Sequence, residues 1–223
     1  MKVEDYSIAN LFDPSHSIAW PLLKEYTYPW EALPHIEEFI LALGPTLPKD
    51  KFTEIKPSVW VANDVKIAPT VSITGPAIID EGAELRQCAY IRGKAIVGKG
   101  CVIGNSCELK NAIIFDNAEV PHYNYVGDSI LGYHAHMGAG AITSNIKSDR
   151  TNVVLRIGEE RIETGLRKMG AILGDYAEIG CNSVLNPGSL IGPHTNVYPL
   201  SFIRGAVAKN SIFKGPDNVV EKK

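Results

Sequence analysis

No apolar run in the 223 residues approaches eighteen, so no segment reads as a helix able to cross a bilayer. Basic residues are in short supply: 22 lysines and arginines face 25 aspartates and glutamates, for a net charge of -3. That balance, with a pI near 6.1, argues against nucleic acid or an anionic membrane as the main partner. The opening MKVEDYSIAN has no basic region followed by an apolar core, so it does not read as a secretory leader. Four cysteines occur without a C-x-x-C pair, which fits reduced thiols and offers neither a zinc nor a redox motif. These absences predict a soluble, cytoplasmic chain of one substantial domain with at most a small appendage.

What is present is a repeat. Aliphatic residues stand at Val61, Ile67, Ile73, Ile79, Leu85, Ile91, Val97, Ile103 and Leu109; after a five-residue step at Ile114, Val120 and Val126; after another at Leu131 and Met137; then again from Leu173 through Ile179, Leu185, Ile191 and Val197 to Ile203. Four places after each, the residue is usually small, as at Ala77, Ala95, Cys101, Cys107, Ala135 and Ser183. The place just after is often glycine, as at Gly98, Gly104, Gly138 and Gly180, which we read as relief of backbone strain at a corner.

A six-residue period of this kind is the signature of a parallel β-helix, and self-similarity outranks local propensity in assigning a fold. Each hexad supplies one short strand and one corner, three hexads close a triangular turn, and the aliphatic points inward. At about 4.8 Å per turn, six to seven turns make a prism roughly 30 Å long. The expected fold class is therefore all-β. The hexads resemble the left-handed β-helix family, whose tight corners escape the usual right-handed crossover rule.

Residues 1–56, rich in aromatics and proline, precede this domain of residues 57–210. There Ile36, Phe39, Ile40 and Leu43 share a helical face, with Pro34 before and Gly44-Pro45 after, so a helical cap over one end of the prism is expected. Between residues 145 and 171 the period fails. The segment TNVVLRIGEERIETGLRK alternates around GEE and predicts a hairpin arm reaching off the prism, either to clasp a neighbour or to touch ligand with Lys147, Arg150, Arg156, Arg161, Arg167 and Lys168. Residues 211–223 read as a tail that leaves the prism.

Counting by hexads places Thr74, Arg92, Lys110 and Gly127 in one column. Two cations about 4.8 Å apart repel by roughly 1–3 kcal/mol, a cost that makes sense if an anion sits between them, since no acid shares their column. Tyr125 arrives at the same edge.

The stretch HYNYVGDSILGYHAHMGAGAITSN, residues 122–145, resembles the acetyltransferase domain of the bifunctional bacterial and archaeal enzymes that make UDP-N-acetylglucosamine, with their H-x-x-Y-x-G-D and G-A-G-x-x-x-x-N motifs. The likeness runs from about Ile67 to Lys214 and includes ETGLRKMGAILGD, as in the archaeal branch. The resemblance implies acetyl-CoA as co-substrate without a metal, a trimer of prisms, and a hexosamine 1-phosphate as acceptor. It makes His122 the general base, with Asn145 orienting the histidine or the substrate amine. Arg92, Lys110, Tyr125 and His136 become sugar-phosphate ligands. Gly138, Gly140, Gly180, Cys181, Pro199 and Lys214 are expected along the cofactor, and glycine-corner amides would stabilise the oxyanion.

Some positions depart from the family pattern. His136 and Cys181 stand where the family has asparagine and serine, and Ile146 where it has tyrosine. No L-x-A-G-x-G-T-R-like nucleotidyltransferase loop appears in the sequence. Two other readings stay open: a non-catalytic regulatory or scaffold subunit of sugar-nucleotide metabolism, and a γ-type carbonic anhydrase with zinc on His122, His134 and His136, although that family's H-x-x-x-x-H pair is missing.

Overall fold

The computed structural model describes residues 1–222, and its centre is the expected left-handed coil of hexads. One stack of parallel strands climbs from Val59–Ala62 through Ala77–Ile79, Ala95–Val97, the C-terminal halves of Glu108–Ile114 and Tyr125–Leu131, Ala171–Leu173 and Ser189–Ile191 to Ala206–Val207. A second stack runs from Lys66–Ile67 to Ser211–Gly215, and a third from Ser72–Ile73 to Phe202–Ile203. The first stack holds eight strands, beyond the six to seven turns expected, because Ala206–Val207 extends the coil past the clear hexads. Nor does the tail leave the prism at residue 211: Ser211–Gly215 is a rung, and Asn218–Glu221 folds back on it antiparallel.

The inward aliphatics and small residues form one continuous core, with Cys101 and Cys107 buried at small-residue places as free thiols. Ile67, in the first turn, is 39% exposed, so that end of the coil stays partly open.

The glycines after the aliphatics act differently from expectation. Gly98, Gly104, Gly138 and Gly180 do not have positive φ; the left-handed residues sit elsewhere in the corner, as at Gly100, Ser106, Gly140 and Asn182. A Cβ at Gly104 would lie 1.5 Å from the Pro121 carbonyl oxygen, and one at Gly180 2.3 Å from the Pro199 nitrogen. These glycines let one turn's backbone press on the next.

The two five-residue steps fall at the same corner, between the third and first stacks. There the strands Glu108–Ile114 and Tyr125–Leu131 run through the bend without a break. Each turns on a single left-handed residue, Asn111 at φ 50° and Asp128 at φ 49°, residue types that tolerate this conformation.

The N-terminal segment forms the helix Ile36–Leu43, as its spacing predicts, but it is not an end cap. Trp60, Ile78, Ile96, Ile113, Ile130, Ile172 and Leu190 point outward from the first stack, and the segment buries them with Tyr6, Leu11, Phe12, Leu23, Trp30, Ile36 and Ile40. It is tied along the flank by Asp175 N–H donating to Leu11 O, Asp116 N–H to His16 O and Lys94 to Glu37 at 2.6 Å. The arm was expected to reach away; instead its hairpin, Val154–Ile157 with Glu160–Glu163, lies on the same flank with Val153, Leu155 and Ile157 buried. The reason is the apolar outer column, which two-sided strands of the AII and AIV kind create.

Candidate functional site

The shortened corner gathers a polar cluster around Asp128, which is almost fully buried. Its carboxylate accepts from Lys110 Nζ at 2.9 and 3.1 Å and from Asn111 Nδ2 at 3.0 Å, and from Asn145 Nδ2 in a short contact. Asn145 Nδ2 also faces the Tyr125 hydroxyl at 3.1 Å. One residue removed from the corner turns Asp128 into the left-handed position and so brings its side chain among these donors. Burial, then the Asp128 and Glu108 carboxylates, hold the Tyr125 hydroxyl above its ordinary pKa.

Arg92 and Lys110 are neighbours on successive turns, as counted, with Arg92 N–H donating to Leu109 O. The expectation that no acid serves them is corrected. Arg92 pairs with Glu108 at 2.9 Å and Lys110 with Asp128 at 2.9 Å. Column counting compares like positions only, whereas these carboxylates reach in from places beside the column. Asp128 itself was missed, although it closes the H-x-x-Y-x-G-D motif and follows a five-residue step.

His122 lies apart from this cluster, exposed at the corner between the second and third stacks. Its amide donates to Asn124 Oδ1 at 3.0 Å, and its carbonyl accepts from Gly140 N–H at 2.9 Å. Asn124 is itself buried and donates to the Gly138 and Ala141 carbonyls, so it fixes the corner on which His122 stands. The expected cofactor residues continue this line: Gly138 packs on Gly180-Cys181, Gly180 packs on Pro199, and Lys214 Nζ lies 5.7 Å from the Tyr198 ring centroid.

The amide assignment changes. Gly138, Gly140 and Gly180 N–H groups already donate to Ile179, His122 and Val197 carbonyls, because they stitch one turn to the next. Among the described residues, Ala139 and Cys181 are the amides in this strip that donate to no protein acceptor.

His136 faces outward on the second stack between Glu178, 3.1 Å from Nδ1, and Glu119, 3.9 Å from Nε2. It does not join Lys110, Tyr125 and Asn145. His134 stacks on Tyr176, which stacks on His194. The three histidines weighed for zinc are thus dispersed, and no group of three potential ligands converges among the described residues.

A family description of the GMPPB C-terminal domain matches residues 73–198, more than half of the chain. The chain belongs to that family. It is 32% identical over 174 residues to a bifunctional sugar-1-phosphate nucleotidylyltransferase/acetyltransferase of Sulfurisphaera tokodaii and 34% identical over 177 residues to the bifunctional protein GlmU of Methanococcus aeolicus. The matches cover 70% and 71% of this chain and 43% of each relative's length. Among solved structures, the polySia-specific acetyltransferase NeuO aligns with a TM-score of 0.45 at 13% identity, over 75% of this chain and 88% of that one. The GDP-perosamine N-acetyltransferase of Caulobacter crescentus, solved with CoA and GDP-perosamine, aligns with a TM-score of 0.33 at 16% identity, over 74% and 56%.

Proposed function

We propose that this GMPPB C-terminal family member is an acetyl-CoA-dependent N-acetyltransferase acting on a hexosamine 1-phosphate or a related amino sugar phosphate, as a homotrimer. The observation that carries the reading is the buried Asp128 holding Lys110 and Asn145 in place beside Tyr125. Such a cluster fixes donors in space, as a site that must hold a polar ligand requires, whatever it also adds to the stability of the corner. The name of the Sulfurisphaera tokodaii relative, a bifunctional sugar-1-phosphate nucleotidylyltransferase/acetyltransferase, supports the reaction type and the class of sugar.

In the reaction, His122 takes a proton from the 2-ammonium of the sugar, and the freed amine attacks the thioester carbonyl carbon. Addition forms the C–N bond and an oxyanion on the carbonyl; its collapse breaks the C–S bond, and the thiolate leaves as CoA with the proton that the nitrogen sheds. The Ala139 amide, one of the two free donors in the strip, meets the oxyanion, a contribution of several kcal/mol in a pre-organised site. Arg92 and Lys110 bind phosphate by charge-assisted hydrogen bonds, exchanging part of their contact with Glu108 and Asp128. Trimerisation would use the faces that the N-terminal segment leaves bare, where Tyr90 and Leu200 are exposed.

Thiol release from acetyl-CoA with glucosamine 1-phosphate and galactosamine 1-phosphate tests the reading. Lys110→Ala should raise KM for the phosphosugar far more than for acetyl-CoA. Absence of turnover with these two sugars and with nucleotide-linked amino sugars returns the scaffold reading to first place.

A further inference from the structure

The column that carries Arg92 and Lys110 does not end there. Lys110 stacks beside Gly127, and the registers of Val126 on Thr143, Thr143 on Leu185 and Leu185 on Ile203 carry the same corner through Ser144 and Asn186 to Arg204. Four turns at about 4.8 Å separate Lys110 from Arg204 by roughly 19 Å. Over the far half of this line the arm folds back and makes a cleft of about 700 Å³, lined by Lys147, Arg156, Arg204, Phe202 and Val154. A second hollow opens from it across Ile146, Lys147 and Ser148 and adds Arg150, Arg167 and Lys168.

Charge is distributed unequally along the line. At the near end each cation has a carboxylate within 3 Å, Arg92 with Glu108 and Lys110 with Asp128. Around the two hollows six cations meet one acid, Asp149, which touches only Lys147, at 3.4 Å. Arg150, Arg156, Arg167, Lys168 and Arg204 have no ion pair among the described residues, in a chain whose net charge is -3. Like charges held this close repel, so the cleft is poised for an anion with more than one negative charge. Phe202 is 59% exposed beside it and offers an aromatic face on which a planar base can stack. A cleft of this volume is in the range of small-molecule sites.

We propose that this cleft binds the nucleoside diphosphate part of a nucleotide-linked amino sugar. The diphosphate lies on Arg156 and Arg204, the base on Phe202, and the sugar points along the column towards Tyr125, Asn145 and Lys110. This rests on the acetyltransferase reading and revises its acceptor: a nucleotide-linked amino sugar takes the place of the free hexosamine 1-phosphate, so the diphosphate sits on Arg156 and Arg204 and Lys110 faces the sugar. The other source of such chemistry is the phosphoadenosine diphosphate end of CoA. We assign the cleft to the sugar because it continues the Lys110 corner, while Gly138, Gly180 and Pro199 follow a different one.

Calorimetric titration of UDP and GDP into the full chain, with and without CoA or 3′,5′-ADP, reads the site without turnover. At least one of the two diphosphates should bind, and the Arg156→Ala/Arg204→Ala double variant should weaken it about tenfold or more. Phe202→Ala should weaken it less, with the melting temperature kept in both variants, and CoA should bind alongside. No binding of either nucleotide at millimolar concentration overturns the proposal. So does binding unchanged in the double variant, or displacement by 3′,5′-ADP, which would give the cations to the cofactor. Thiol release from acetyl-CoA with free hexosamine 1-phosphates and with nucleotide-linked amino sugars is measured separately: no release with any of them overturns the acetyltransferase reading, while release without UDP or GDP binding in the cleft overturns this proposal alone.

Discussion

Replacing Asp128 by asparagine keeps its size and, because asparagine also tolerates φ near +50°, leaves the corner unstrained. What changes is the charge and the acceptor count. The carboxylate now serves Lys110, Asn111 and Asn145 at once, and its side chain is 6% exposed. The amide leaves one oxygen for three donors and turns an NH2 group towards Lys110 or Asn145. Breaking a buried ion pair from one side costs about 3–5 kcal/mol. For a chain of this size each kcal/mol moves the midpoint by roughly 2–4 °C, so Asp128→Asn should lower Tm by about 6–20 °C. Circular dichroism melts would read it, with Lys110→Met and the double variant closing a cycle. Removing both partners should recover part of the loss, since the lysine is then no longer left buried without a counter-charge. A fall of less than about 2 °C, or strict additivity in the cycle, would show that the network adds nothing to stability.

His122→Ala should leave Tm nearly unchanged, because the side chain is exposed, while kcat falls by roughly two to four orders of magnitude. Near-wild-type turnover would remove it from the mechanism. Gly104→Ala should be among the most damaging single changes, since its Cβ would collide with the Pro121 carbonyl, whereas Gly165→Ala, with open space around it, should cost only about 1 kcal/mol for its positive φ; urea titrations compare the two. Burial raises the Asp175 pKa above its ordinary value even though it accepts from the Asp13 and Tyr133 amides. A raised carboxyl binds more protons folded than unfolded, so its contribution to stability falls as pH rises from the unfolded pKa through the folded one. The stability of Asp175→Asn relative to wild type should therefore be least favourable at the acid end of that window and improve as pH rises, which melts across pH 3 to 7 would detect.

The coil was legible because its inward positions repeat without a polar intruder over twenty places, a pattern that only one architecture satisfies. The neighbourhood of Arg92, Lys110 and Tyr125 was legible for the same reason, since a fixed period converts sequence distance into stacking, whereas Asn145 was drawn in only by the motif resemblance. What the period hid was anything beside it. The seven outward apolar residues from Trp60 to Leu190 occupy a place in only every third hexad, so the inward count passes over them and the N-terminal segment was assigned to the wrong surface. Asp128 escaped because a five-residue step looks like a defect, whereas it is the device that turns one carboxylate into the site. The glycine rule failed on cause: a missing side chain can serve conformational freedom or close approach, and only coordinates tell which.

The flank-bound N-terminal segment has a bearing on how the chain is made. Leu11 and Asp13 emerge from the ribosome early, yet their partner is Asp175, more than 160 positions later. Until those late turns exist, the contacts of Leu11 and Asp13 cannot be completed, and the part of the strip from Trp60 to Leu190 that they help to cover stands bare on the turns already wound. Turns of the coil can add one upon another from short-range contacts, but closure of the flank is a long-range event and should be the slow phase of refolding. During that interval the nascent molecule displays a straight apolar seam, so a variant slowed in docking its first fifty residues should be lost to aggregation while its finished form remains sound.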